Sequence, residues 1–225
     1  MERHPSRFIG CLLADPRPDG GGAAEVERLH RQHGFRAVRF NPYLWPEGEK
    51  MTNEVGRAMY QAAGDLGMPV CHMPFKGLLG HIDEIEDLAT SYPRTPVIID
   101  HFGFCKGGDT GSEEWRRLLN LARHPQVYVK TSAFFRVSQQ PYPHKDSVAA
   151  LRTLADAFGA QRLMWGTDWP WVQEHGGYSK AWGLLDEADP AFDSLTEEER
   201  RWVMGGTIQA LFPGAWAAES VGGTS

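Results

Sequence analysis

The sequence predicts an α/β protein with a parallel sheet, of the (β/α)8 barrel type (a TIM barrel). Three observations carry this. Short apolar segments recur at near-constant spacing, helical patterns fill the gaps, and polar residues gather at the ends of several segments. The segments are RFIGCLLADP (from Arg7), AVRFNPY (from Ala37), PVCHMP (from Pro69), PVIIDHFG (from Pro96), VYVKTSA (from Val127) and RLMWGTDWP (from Arg162). Their starts lie 30, 32, 27, 31 and 35 residues apart, the length of a βαβ unit. Most are apolar on both faces, as strands covered by helices should be.

The helices follow in order. AAEVERLHRQHG carries Val26 and Leu29 and ends at Gly34. TNEVGRAMYQAAGDLG places Val55, Met59, Ala62 and Leu66 at helical spacing and stops at Gly67, a residue suited to the left-handed end of a helix. HIDEIEDLATSYP puts Ile82, Ile85, Leu88 and Tyr92 on one face. EEWRRLLNLARHP does so with Trp115, Leu118, Leu119 and Ala122, and KDSVAALRTLADAFG with Val148, Leu151, Leu154 and Phe158. LTEEERRWVMGGTIQALF opens with a capping box, Thr196 with Glu199. A doubly wound nucleotide fold is disfavoured, because the first loop has neither a GxGxxG nor a phosphate-loop pattern. No composition break marks a second domain, so residues 1–225 read as one domain with 217–225 as a frayed tail.

Composition narrows the function. The net charge of −6 is spread along the chain without a basic stripe, which argues against nucleic acid as partner. No apolar run approaches the ~20 residues that span a bilayer, and the start MERHPSRFIG has no signal-peptide core, so a cytoplasmic protein with no membrane partner is expected. Cys11, Cys71 and Cys105 are widely spaced, an odd number without CxxC; Cys11 and Cys71 read as buried thiols in a reducing compartment.

Asp168 is the first candidate for chemistry. It ends an apolar strand and is walled by Trp169, Pro170 and Trp171. Aspartates before proline turns are often plain caps. A carboxylate at the end of a buried strand, however, also suits a general base for water or a ligand for a divalent metal. His101 follows three apolar residues and reads either as a satisfied core histidine or as a site group; Asp100 beside it is expected on the opposite side of the strand. His72, in CHMPF, is a weaker candidate of the same kind. Lys130 and Ser132 share one face by period two, and so do Arg39 and Asn41. Buried cations need partners, so these suit a substrate carboxylate or a developing oxyanion, unless Arg39 pairs with an acid inside the barrel. Trp165, Trp169 and Trp171 flank Asp168 and read as pocket wall, with Trp169 against the substrate.

At WGTDWP, taken with IIDHFG, VYVKTSA and the late GGTIQALF, the chain resembles the amidohydrolase-related family of the metal-dependent hydrolase superfamily. That resemblance implies a distorted (β/α)8 barrel and hydrolysis at its C-terminal face, on a small-molecule substrate such as a sugar lactone or a carboxylated lactone. It implies Asp168 as catalytic base or metal-side carboxylate, His101 as its catalytic companion, and His72 with His101 and Asp168 as metal ligands. Arg39 and Lys130 map loosely to substrate-binding cations, beside Asn41, Ser132 and Trp169. A zinc-type ion and no ion at all are equally consistent, because the HxH pair that opens the family's pattern is absent from the nine histidines. The segments match the family from its third strand onward, so about six of eight βα units are expected, with open edges that invite a second copy. The competing function is a catalytically impaired barrel that only binds a ligand or partner. A decarboxylase shares the scaffold but needs a strong metal site.

Overall fold

The computed structural model describes residues 4, 7–185 and 195–216. Six parallel strands form one sheet: β1 (Gly10–Leu13), β2 (Phe35–Phe40), β3 (Val70–His72), β4 (Val97–Ile99), β5 (Val127–Ser132) and β6 (Leu163–Gly166). Their order in the sheet is their order in the chain. The sheet curls into a half-barrel, and β1 and β6 share no ladder. Helices follow the strands: α1 (Gly22–His33), α2 (Glu54–Asp65), α3 (Ile82–Ser91), α4 (Glu113–Asn120), α5 (Phe134–Val137), α6 (Lys145–Phe158), α7 (Gly177–Gly183), α8 (Glu197–Arg201) and α9 (Thr207–Leu211). No helix among the described residues is long and apolar enough to cross a membrane.

Period two sorts the strands into two faces. Val38, Phe40, Val70, Val97, Ile99, Val127, Val129 and Leu163 point outward into the main core, against the helices. Ala37, Cys71, Ile98 and Met164 point inward and pack with Phe212 and Ala215 from the segment after α9. One step further along the strands, the inner face turns from apolar to charged: Ala37 gives way to Arg39, Ile98 to Asp100, Tyr128 to Lys130. That step locates the site at the C-terminal ends of the strands.

Local signals hold most helix ends where the sequence put them. Asn53 caps α2 by accepting from Gly56 N at 2.8 Å. Ser112 caps α4, and Thr196 with Glu199 forms the expected capping box on α8. Gly34 ends α1 at φ 68°. The last helical pattern, in contrast, is broken. Between α8 and α9 the chain makes a π-type turn over Trp202–Gly206, where a Cβ on Gly206 would meet the Trp202 ring at 2.9 Å. α5 and α7 were not expected, being too short to show a period. Cys71 is buried as foreseen but Cys11 is exposed, because it sits on the inner face of an edge strand. The tail expected at 217–225 lies outside the described residues.

Gly56 gives a direct test of this packing. A Cβ there would lie 1.9 Å from the Met51 carbonyl oxygen, a backbone atom that cannot swing away. Alanine normally favours a helix by about 1 kcal/mol over glycine. Overpacking should win, and Gly56→Ala should lower stability by about 1–3 kcal/mol. Urea denaturation with an unchanged m-value measures it; an unchanged or raised midpoint contradicts the packing.

Candidate active site

Three strand ends carry a non-glycine residue in the left-handed region. After β4 the run His101, Phe102, Gly103, Phe104 has φ of 50°, 55°, 63° and 61°; after β5 Ala133 has 54°; after β6 Asp168 has 64°. Such residues cost energy and persist where surroundings hold them. At β4 the consequence is specific. The turn swings His101 back over the sheet, so His101 and Asp100 reach the same side. The expectation that Asp100 faces away from His101 is therefore wrong, because the chain has already left extended geometry at His101.

Asp100 is fully buried and sits between two cations. Lys130 Nζ lies 2.5 Å from Oδ1 and an Arg39 terminal nitrogen 2.8 Å from Oδ2. Burial opposes ionisation of Asp100, but Lys130 and Arg39 override it and hold the carboxyl below its usual range. Burial likewise pulls the two cations down, and Asp100, together with the other negative groups around it, leaves both above their usual values. Arg39 thus pairs with an acid inside the half-barrel. Its Nε is buried with no partner among the described residues, and the residue lines the adjoining cleft.

Beside this cluster stands a second. His101 Nδ1 is 2.7 Å from Ser132 Oγ, and its Nε2 is 3.5 Å from Asp168 Oδ1. Burial pushes His101 down to about 4, so the ring is neutral at pH 7. A neutral imidazole has one donor nitrogen. Because a carboxylate only accepts, the fitting tautomer has N–H at Nε2 towards Asp168 and accepts the Ser132 hydroxyl proton at Nδ1. Arg136, from α5, donates Nε–H to the other oxygen of Asp168 at 2.5 Å. Its guanidinium lies 5.2 Å from the Phe135 ring and 5.8 Å from that of Trp171.

Asp168, His101, Arg39 and Arg136 open onto a cleft of about 890 Å³. Lys76 and Lys106 add positive charge, Glu114 is the other acid, and Phe75, Phe104, Phe135, Trp169 and Trp171 supply aromatic wall. Trp169 is 63% exposed and Trp171 54%, so they stand at the mouth. Trp165 turns away and packs against Tyr178 and Trp182.

The remaining sequence candidates fall elsewhere. Lys130 lies below the cleft on Asp100, and Ser132 serves His101. Asn41 accepts from Tyr43 N at 3.2 Å and caps the turn at Pro42. His72 belongs to the outward face, among Phe40 and Tyr60, with Nε2 3.4 Å from the Tyr60 hydroxyl. Burial pushes it down to about 3. It cannot join His101 and Asp168, because period two aims it into the helix layer. Sequence reasoning missed Arg136 and the role of Asp100. Arg136 could have been flagged by its position just past a strand end already rich in polar residues.

The family model for amidohydrolases matches residues 1–214. The chain belongs to the amidohydrolase family. It is 33% identical over 226 residues to 4-sulfomuconolactone hydrolase of Hydrogenophaga intermedia, covering 94% of this chain and 67% of that protein. It is 34% identical over 131 residues to L-fucono-1,5-lactonase of Burkholderia ambifaria, covering 56% of this chain and 44% of that protein. The matches thus span from under half to about two thirds of these relatives' length. A solved structure named as a 2-pyrone-4,6-dicarboxylic acid hydrolase, from Pseudomonas putida, superposes with a TM-score of 0.70 at 24% identity, covering 92% of this chain and 72% of that one. This likeness shows the barrel fold.

Another amidohydrolase of this fold, from Burkholderia multivorans, holds zinc (TM-score 0.57, 20% identity, covering 90% of this chain and 82% of that one). Among the described residues no group of three His, Cys, Asp or Glu is placed to hold a metal ion. His101 and Asp168 would be two donors, one oxygen of Asp168 is taken by Arg136, and His72 is on the other face. Catalytic zinc usually has three protein ligands, so these residues do not fit such an ion by themselves.

The buried histidines make stability depend on pH. His101 and His72 are depressed to about 4 and about 3, against about 6.5 in an unfolded chain. Between those values the unfolded chain binds more protons. Stability should be complete above pH ~6.5 and fall as pH drops towards 4, by about 1.4 kcal/mol per unit for each histidine. Urea midpoints at pH 7.5, 6, 5 and 4.5 measure this; a flat profile contradicts the buried, neutral rings.

Proposed function

We propose that the chain hydrolyses a lactone, or a similar cyclic ester, of a small carboxylated or sugar acid. The observation that carries the reading is Asp168: a carboxylate clamped on one oxygen by Arg136, with the other facing neutral His101 in a cation-lined cleft. The family's lactone-hydrolysing relatives support it.

The chemistry follows from the groups. Arg136 holds one oxygen of Asp168, and the other, Oδ1, which faces His101 Nε2 at 3.5 Å, is the basic atom. Oδ1 takes a proton from water as the water oxygen bonds to the lactone carbonyl carbon. Charge developing on the carbonyl oxygen meets the positive field of the Arg39 and Arg136 guanidiniums, whose residues line the cleft. The ring C–O bond then breaks, and the leaving alkoxide recovers the proton from Asp168. The product is the open hydroxy acid. Ser132 keeps His101 in the required tautomer, and Asp100 with Lys130 keeps Arg39 beneath the carbonyl. The cationic lining suits a substrate that carries a carboxylate. The free thiols fit a reducing, cytoplasmic setting, and β1 and β6, the outer strands of the six described, suit pairing with a second copy.

Asp168→Asn keeps the shape but removes the base. With a panel of sugar-acid and carboxylated lactones followed by pH-stat titration, it should lower kcat by about 10²–10⁴-fold while circular dichroism is unchanged. Full turnover by the variant overturns Asp168 as base. Ligand binding without turnover by the unaltered chain favours a binding protein instead.

A further inference from the structure

Among the described residues four Lys and Arg side chains line the cleft, and three already have a protein oxygen. Arg39 lies on Asp100, Arg136 on Asp168, and Lys106 Nζ donates to the Arg136 carbonyl at 3.1 Å. Lys76 differs. Its ammonium sits 4.6 Å from the centroid of the Tyr43 ring and 5.8 Å from that of Phe75, and among the described residues it joins no carboxylate in an ion pair. Glu114, the other acid of the lining, is not ion-paired with it. An ammonium held over ring faces keeps its charge available to a ligand.

The seat is built. Tyr43 Oη accepts from Lys76 N at 3.1 Å, which fixes the loop after β3. His81 Nε2 lies 3.3 Å from the same oxygen. Phe75 packs edge-on to Tyr43, with ring centroids 4.6 Å apart. Asn41 caps the turn that carries Tyr43. Topology sets the separation: Lys76 follows β3, whereas Arg136 and Asp168 follow β5 and β6.

We propose that Lys76 on its Tyr43–Phe75 seat is a distal anion subsite, which selects substrates bearing a second negatively charged group across the ring from the scissile ester. This rests on the proposed lactone hydrolysis only in naming the ligand a substrate. Arg136 and Arg39 hold the reacting end, and Lys76 receives a carboxylate or other anion at the far end. Tyr43 is a positioning residue.

Calorimetric titration of the full chain with isophthalate (two carboxylates on one planar ring) and with benzoate (one) tests the subsite without requiring turnover. Unaltered protein should bind isophthalate at least tenfold more tightly than benzoate. Lys76→Met should remove most of that advantage while changing benzoate affinity less than twofold, and Lys76→Arg should keep it. Tyr43→Phe, which retains the ring face, should keep more of the preference than Tyr43→Leu. Equal affinity for the two ligands in unaltered protein, or a preference that survives Lys76→Met, overturns the subsite. If the preference depends on Lys76 but no lactone is hydrolysed, the subsite stands and the hydrolase reading falls. If lactones are hydrolysed but the preference ignores Lys76, the reverse holds.

Discussion

The structure depends on a carboxylate with no access to solvent. Asp100 lies at the end of β4, wholly buried, with Lys130 of β5 on one oxygen and Arg39 of β2 on the other. Taking the Asp100 charge out of water costs several kcal/mol unless it meets partners closely, and Lys130 and Arg39, whose side chains keep 23% and 33% exposure, supply them. The inner face can carry charge at this level only because the three meet. Below it the face is apolar and filled by Phe212 and Ala215. The boundary between the two levels divides the packed interior from the cleft.

The ion cluster also sets the groups that line the cleft. His101 is the next residue after Asp100, so fixing one fixes the start of the left-handed turn that carries the other. Ser132 is two residues beyond Lys130, on the same face, which brings its hydroxyl to His101 Nδ1. Across β6, Asp168 is aimed by its own left-handed turn and clamped by Arg136. The strain at His101, Ala133 and Asp168 is held by these polar contacts above and by the packed sheet below.

The fold was largely legible in the sequence. Six βα units at about thirty-residue spacing need parallel strands, and the apolar faces of the helices left little freedom. The short α5 and α7, and the π-type turn at the glycine pair, were not legible, since each is shorter than the period needed to recognise it. Of the candidate site, Asp168, His101 and Arg39 were read from strand-end position, and all three line the cleft. His72 occupies a similar strand-end position, yet faces the helices; only register against Phe40 and Ile99 tells its face from that of Arg39. Asp100 was read as pointing away because period two was carried one residue past the end of the strand. Arg136 went unread because its helix is a single turn inside what looked like a loop.

The central claim is that Asp100 and Lys130 act as one unit, and a double-mutant cycle on stability tests it most directly. Asp100→Asn and Lys130→Met each leave a buried charge with a missing partner, and each should cost about 3–5 kcal/mol in urea denaturation at pH 7. The double variant removes both charges and should cost less than the sum by at least about 1–3 kcal/mol. Additive losses, or single losses under about 1 kcal/mol, would contradict the account.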